Sequence, residues 1–299
     1  MAAPNLPWNN DAEQALKRVP FFARALVRRK VTERVAARGQ AAVTLADFQE
    51  AEARFHSVTS GKSEQALKAM MPVENAQGAE LLLVEACHHK LSNCPNALID
   101  TDAWRIAVEQ WAAHNNINER LRARVADDQI LFHHKFRVAI SACPNGCSRP
   151  QIADVGVMGA VRPDVDPGEC TMCGACEEVC PDKAITVDNA PPLFDRTGCL
   201  GCNQCERICP QNAIVSSEPR ARILAGGKLG RHPHLADVIG DAESPAELVD
   251  TLDWIVTDFI QNARAGERFA DFWLRDQKAR FFSPDRAKHA AESAARDRN

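Results

Sequence analysis

Two runs of cysteine constrain this chain more than any other feature of its sequence. Cys170, Cys173, Cys176 and Cys180 precede Pro181, and Cys199, Cys202, Cys205 and Cys209 precede Pro210. Both runs read C-x2-C-x2-C-x3-C-P. In this spacing three closely set thiolates wrap one face of a [4Fe–4S] cube, and the fourth cysteine of each run reaches the other cube. One cluster is therefore expected on Cys170, Cys173, Cys176 and Cys209, and a second on Cys199, Cys202, Cys205 and Cys180. Zinc is the competing metal, and two triple runs with a trailing Cys-Pro favour clusters over it. Such a pair has no substrate pocket, so its expected role is electron transfer.

The chain has 12 cysteines, so four remain outside these runs. Cys143 and Cys147 form a C-x3-C pair, and Cys87 and Cys94 a looser C-x6-C pair upstream. Four thiolates are the ligand count of one more cubane, so a third [4Fe–4S] cluster is expected on these residues. Free thiols at this density fit a reducing compartment. The first residues lack the apolar core of a signal peptide, and no stretch approaches the roughly 20 apolar residues of a membrane span. The expectation is therefore a cytoplasmic protein with no membrane span. At 299 residues, 45% hydrophobic and a net charge of −4, the chain can hold one large domain or two or three small ones, and nothing global points to nucleic acid.

The fold class expected is α+β. Residues 1–57 read as a small helical domain. Asp11 is placed to cap a first helix, Pro20 suits a first-turn position, and Gly39 stops a basic helix. Thr44 with Asp47 resembles a capping box before a helix through Phe55. Arg28, Arg29 and Lys30 read as a solvated face. Residues 58–77 read as a linker, and residues 163–218 as an acidic inserted ferredoxin domain. Around it, strands are expected near Leu81–Val84, Phe136–Ser141, Ile152–Val161 and Arg222–Leu229, with helices over Thr101–His114 and after Ser244. Residues 78–162 and 219–282 would form one module, and residues 283–299 a charged tail. The glycines of Gly226-Gly-Lys-Leu-Gly230 are spaced for neither a P-loop nor a dinucleotide site, so electrons are expected from an external donor. His88, His89, His133 and His134 flank the cysteine region and read as structural or exposed.

The stretch Lys135-Phe-Arg-Val-Ala-Ile-Ser-Ala-Cys-Pro-Asn-Gly-Cys147, with Ile152-Ala-Asp-Val-Gly-Val-Met-Gly159 and Gly226-Gly-Lys-Leu-Gly-Arg-His-Pro233, resembles the sirohaem-dependent nitrite and sulfite reductases. A ferredoxin insert between these motifs is similar to the dissimilatory sulfite reductase branch. The resemblance implies a third cluster on Cys87, Cys94, Cys143 and Cys147, with Cys147 bridging to sirohaem and Arg231 in a cofactor-binding motif. It also implies an anion site served by Lys135 and Arg137, which would share one strand face beside the cysteine loop. A small oxyanion, sulfite or nitrite, would be the substrate. The family spaces its first cysteine pair C-x5-C, one residue shorter than here. Its module is normally half of a pair, which implies an oligomer or a partner reductase subunit. Trp8 to Phe55 resembles a small domain of a light-independent protochlorophyllide reductase subunit. A second function stands beside this one: a sirohaem-free, multi-cluster electron-transfer protein feeding a partner enzyme.

Overall fold

The structure is a computed structural model that describes residues 6–19, 21–59 and 72–282. It divides into two compact units, Met1–Met71 and Pro72–Asn299, and its class is α+β.

The first unit is helical: α1 (Asn10–Leu16), α2 (Phe21–Ala37) and α3 (Leu45–Thr59). Ala12, Val31, Val35 and Val43 make its buried centre. The capping box before α3 is present: the Thr44 amide donates to Asp47 Oδ2 at 3.0 Å, and the Asp47 amide donates back to Thr44 Oγ1 at 3.4 Å. Asp11 does not cap α1. Asn9 takes that position because its amide is held by the Val43 carbonyl at 2.9 Å, which leaves Asp11 in the first turn, where a carboxylate still opposes the helix dipole. Gly39, at φ 72°, follows α2 as expected. Arg28 pairs with Glu13, and Arg29 and Lys30 with Glu33, so this basic stretch is a solvated, neutralised face. Pro20, residues 60–71 of the expected linker and the tail beyond 282 lie outside the described residues.

The second unit is built on a five-stranded sheet of order β11-β10-β5-β4-β2. Here β2 is Leu82–Ala86, β4 Phe136–Ser141, β5 Val155–Ala160, β10 Arg220–Ala225 and β11 Asp237–Ala242. β2, β4 and β5 run parallel, and β10 is antiparallel to both its neighbours. Parallel neighbours require crossovers, and the chain between β2 and β4 supplies α4 (Thr101–His114) and α5 (Ile117–Arg122). Asp100 caps α4 by accepting from the Asp102 amide at 3.1 Å. Ser244 accepts from Glu247 to start α8 (Pro245–Asn262), with Pro245 in the first turn. Trp104, Val108 and Trp111 of α4 and Leu248, Leu252, Ile255 and Phe259 of α8 recur at helical spacing and bury one sheet face, where Val138, Ile140 and Ile223 meet them. Trp111 Nε1 donates to Asp253 at 3.0 Å and locks the two helices together. The opposite face is crossed by the β4–β5 connector: Arg137 donates to the Ile152 carbonyl, and Ser141 Oγ lies 2.6 Å from Ser148 Oγ.

Part of the expected linker belongs to this unit. β1 (Val73–Glu74) pairs with β3 (Gln129–Ile130), and Asn75 Nδ2 donates to the carbonyls of Val125 and Asp127, so backbone pairing ties residues 73–75 to the body.

The insert leaves after β5 and returns at β10, and Arg220 pairs directly with Ala160. β6 (Pro163–Val165) and β9 (Ile214–Ser216) close its base as an antiparallel pair. Within it lie α6 (Ala175–Val179), the pair β7 (Ile185–Thr186) and β8 (Leu193–Phe194), and α7 (Gln204–Ile208).

Candidate metal centres and anion cavity

Cys87 and Cys143 sit at the same end of the parallel sheet, because β2 and β4 are neighbours in register and each cysteine follows the C-terminal end of its strand. The Cys87 amide donates to the Ile140 carbonyl at 2.9 Å, and the Ala142 amide donates to Cys87 Sγ at 3.2 Å. Cys94 is returned to the same place by a tight loop in which its amide bonds to the His89 carbonyl at 2.9 Å. Asn93 adopts φ 45° within that loop, a conformation asparagine tolerates. Burial pushes the Cys143 thiol up; an amide at Asn145 opposes this, and the nearby thiols of Cys94, Cys147 and Cys87 push it further. The four thiols are thus near enough for Cys87, Cys94 and Cys147 to act on Cys143, three of them at least half-buried and Cys147 exposed. Asn145 Nδ2 donates to Cys147 Sγ at 3.2 Å.

In the insert the cysteines sort into two cavities. One is lined by Cys170, Cys173, Cys176 and Cys209, the other by Cys180, Cys199, Cys202 and Cys205. The fourth cysteine of each run has crossed to the other run's three. The two runs share one backbone: Met172 and Gly201, Gly174 and Asn203, and Lys183 and Asn212 occupy equivalent positions, all at positive φ. Left-handed residues turn successive amides inward. Ala184 donates to Cys180 Sγ at 3.3 Å, and Ala213 to Cys209 Sγ at 3.2 Å. Burial opposes ionisation of Cys209, but the amides of Ile214, Gln211, Ala213 and Asn212 hold its thiol below the ordinary range. Burial drives the Cys205 thiol up to about 12, so a thiolate there needs a cationic partner. No three His, Cys, Asp or Glu side chains among the described residues converge on a single ion. That is compatible with a cubane, whose four thiolates take four separate irons. Thiol count, amide donors and crossed lining together fit iron–sulfur ligation.

Lys135 and Arg137 are placed differently from each other. Lys135 precedes β4, at the end of the sheet remote from Cys143; the six residues of β4 alone span about 20 Å. It is 6% exposed and lines a cavity of about 340 Å³ with Arg124, His134, Asp154, Arg268 and Phe269. Its ammonium has no hydrogen bond or ion pair among the described residues. Burial lowers its pKa, with only Glu80 opposing from beyond ion-pair distance. Arg137 is engaged: Nη2 donates to Glu85 at 2.6 Å, and its guanidinium lies 5.7 Å from the Phe132 ring centre. The expectation of two free cations beside the cysteine loop is therefore corrected. The strand's direction carries Lys135 away from the thiols, and a neighbouring strand neutralises Arg137. Asp154 forms another wall of the cavity. Burial raises its carboxyl to about 6, against the Arg137 amide at 2.8 Å and the charges of Arg268 and Arg137.

A profile of the nitrite and sulphite reductase 4Fe-4S domain matches residues 78–276. The chain belongs to that family. Residues 8–52 match the family of the proto-chlorophyllide reductase 57 kD subunit. A coenzyme F420-dependent sulfite reductase of Methanocaldococcus jannaschii is 38% identical over 95 residues, 32% of this chain and 13% of that protein. A subunit of the anaerobic sulfite reductase of Salmonella typhimurium is 31% identical over 52 residues, 17% of this chain and 15% of that protein. The matched stretches are thus a small part of either relative. Among solved structures, dissimilatory sulfite reductase I aligns with TM-score 0.45 and 19% identity, over 67% of this chain and 51% of that one. Mycobacterium tuberculosis NirA aligns with TM-score 0.32 and 20% identity, over 57% and 22%.

The family is one of iron–sulfur reductase domains of [4Fe–4S] type, and no helix among the described residues is long and apolar enough to cross a membrane. Arg231 is exposed in a turn closed by mutual amide–carbonyl bonds of Lys228 and His234 at 2.9 Å. Gln151 links this turn to the thiol loop: its carbonyl accepts from Ala236 at 2.8 Å, and its side chain fills the space a Cβ on Gly146 would need. His89 and His134 are structural, since Nδ1 of His89 meets Thr101 Oγ1 and Nδ1 of His134 accepts from the Leu131 amide. Asp154, Arg124 and Arg268 were not singled out from the sequence. The one local signal was Asp154 itself, an acid standing directly before a wholly apolar strand.

Proposed function

We infer that this chain is the iron–sulfur half of a sulfite- or nitrite-reducing enzyme, carrying three [4Fe–4S] clusters and contacting sirohaem through Cys147. The observation that carries the reading is the meeting of Cys87, Cys94, Cys143 and Cys147 at one sheet end, with the Cys147 thiol open to solvent. Cys170, Cys173, Cys176 and Cys209 hold one insert cluster, and Cys180, Cys199, Cys202 and Cys205 the other. Sirohaem, when bound, supplies the iron on which an oxyanion is reduced. Around it this chain's own residues have separate tasks. Cys147 is the exposed ligand, and Arg231, on the turn that Gln151 joins to the thiol loop, offers a cation to tetrapyrrole carboxylates. Lys135 has no task at the tetrapyrrole in this reading, because it lines a separate cavity about 20 Å along β4 from the thiols. Arg137 positions the cavity wall through its amide on Asp154. Because Cys147 is open to solvent, this reading gives it a covering chain, either a partner reductase subunit or a second copy.

The alternative, a sirohaem-free electron carrier, is favoured by one observation: Arg137 is neutralised and the Lys135 cavity stands at the sheet end remote from the thiols. The absorption spectrum of anaerobically purified protein decides between them, since sirohaem has strong visible bands that cubanes lack. Cubane absorption alone, with about twelve irons per chain, would replace the reductase reading by the carrier reading.

A further inference from the structure

The two cysteine sets of the insert are not equivalent with respect to the body. Gly201 lies between Cys199 and Cys202, and its carbonyl accepts from the Val161 amide at 3.0 Å. The approach is so close that a Cβ at Gly201 would stand 2.4 Å from the Val161 carbonyl oxygen and 3.1 Å from Ala160 Cβ. Ala160 ends β5, and a Cβ on its neighbour Gly159 would stand 2.2 Å from the Ala142 carbonyl oxygen. The Ala142 amide in turn donates to Cys87 Sγ, and Ala142 is bonded to Cys143. A continuous run of backbone contacts therefore joins the Cys202 loop to two thiols of the body set. A second contact runs beside it: Arg207 Nη1, on α7 between Cys205 and Cys209, donates to Asn96 Oδ1 at 3.0 Å, two residues beyond Cys94. Both cavities are lined by insert residues alone, so these loop contacts with the body distinguish the two sets, and Cys173 and Met172 are exposed at the rim of the Cys170, Cys173, Cys176 and Cys209 cavity.

We propose that the Cys180, Cys199, Cys202 and Cys205 set is the insert's electron outlet to the Cys87, Cys94, Cys143 and Cys147 set, and that the Cys170, Cys173, Cys176 and Cys209 set is its inlet. This rests on the three-cluster reading above and adds the order, with Gly201 and Arg207 as the residues that fix it. Each transfer moves one electron and neither makes nor breaks a bond. The outlet centre is oxidised as the body centre is reduced, and the inlet centre is re-reduced by a low-potential one-electron carrier protein at the exposed Cys173 rim.

The test uses the full chain, loaded with iron anaerobically and reduced with dithionite. Iron is counted first. About eight irons per chain would overturn the three-cluster reading and this order with it, whereas about twelve leaves the order to be decided by spectroscopy. Electron paramagnetic resonance then reads magnetic coupling at the body centre in the wild type, Cys173→Ser and Cys202→Ser. The expected result is a body signal broadened in the wild type and in Cys173→Ser, with the broadening lost in Cys202→Ser. The reverse pattern, an equal response to both substitutions, or no coupling in the wild type overturns the order. If Cys202→Ser does not fold, Arg207→Ala, an exposed substitution, is followed by freeze-quench after mixing with reduced methyl viologen. Reduction of the insert centres at the wild-type rate with several-fold slower reduction of the body centre supports the order. An unchanged body-centre rate overturns it.

Discussion

The Arg137 guanidinium reaches diagonally across the parallel β2–β4 pair to Glu85. Leu83 stands opposite Arg137 and Ala139 opposite Glu85, so the two partners lie one pleat apart on the same sheet face, joined at 2.6 Å. The Arg137 side chain is 16% exposed and that of Glu85 40%, so solvent screens the pair from one side. A double-mutant cycle of Arg137→Met and Glu85→Gln should give a coupling of about 1 kcal/mol that shrinks at high salt. Denaturant titration measures it. A coupling indistinguishable from zero would free Arg137 for the anion role that its sequence position implies.

Lys135 should separate stability from catalysis. Its ammonium is desolvated with no hydrogen bond or ion pair among the described residues, so Lys135→Met removes a burdensome buried charge, and thermal unfolding should occur at the same or a higher temperature. Iron content should stay at the wild-type value. Reduction of sulfite or nitrite by the cofactor-loaded complex should stay at the wild-type rate, because the cavity stands about 20 Å along β4 from the thiols. A large loss of reduction rate in a stable Lys135→Met variant would return the cavity to the catalytic site.

Asp154 predicts a specific pH dependence. Its carboxyl is raised from 3.8 to about 6 in the fold, first by burial. Between these values the native state holds a proton that the unfolded chain has lost, so stability from this group falls as pH rises from about 4 to about 6. At neutral pH the cost is complete and is roughly 3 kcal/mol. Asp154→Asn keeps an acceptor for the Arg137 amide and cannot ionise. The variant's stability advantage over the wild type should grow between pH about 4 and about 6 and level off above that in urea titrations followed by tryptophan fluorescence. Parallel curves would mean that Arg268 and Arg137 already neutralise the carboxylate.

Cys180→Ala should damage the centre of Cys199, Cys202 and Cys205 and spare that of Cys170, Cys173 and Cys176. The reason is the lining of the two cavities, reinforced by the Cys180 thiol acting on Cys202. Iron analysis with Mössbauer or paramagnetic resonance spectra should show loss from one insert centre only. Loss of the centre formed by the first run's own triple would reverse the assignment.

Some elements were readable from the chain because their causes are local. Thr101–His114 and Phe136–Ser141 fall where apolar periodicity put them, since a helix of period 3.6 and a strand of period 2 each leave a pattern within a dozen residues. The Thr44–Asp47 box needs only four residues to satisfy its orphan amides. Elsewhere the local signal was outweighed: the Val43 carbonyl, far along the chain, set the start of α1 at Asn9 instead of Asp11. Val73–Glu74 could not be told from linker because their partner, Gln129–Ile130, lies across the unit.

For the centres, the sequence by itself determined the number of thiols and the spacing within each run, because two or three intervening residues form a loop of one geometry wherever it sits. Only the tertiary structure decided how those loops face one another. β-sheet register put the Cys87 and Cys143 loops side by side, and the β5-to-β10 return placed the Cys202 loop against Val161. The same register gave Arg137 a carboxylate from another strand and withdrew Lys135 to the remote end of β4. A strand's pattern tells which side chains share a face, but charge neutralisation and desolvation depend on which neighbour folds against that face, and no spacing within one strand encodes that neighbour.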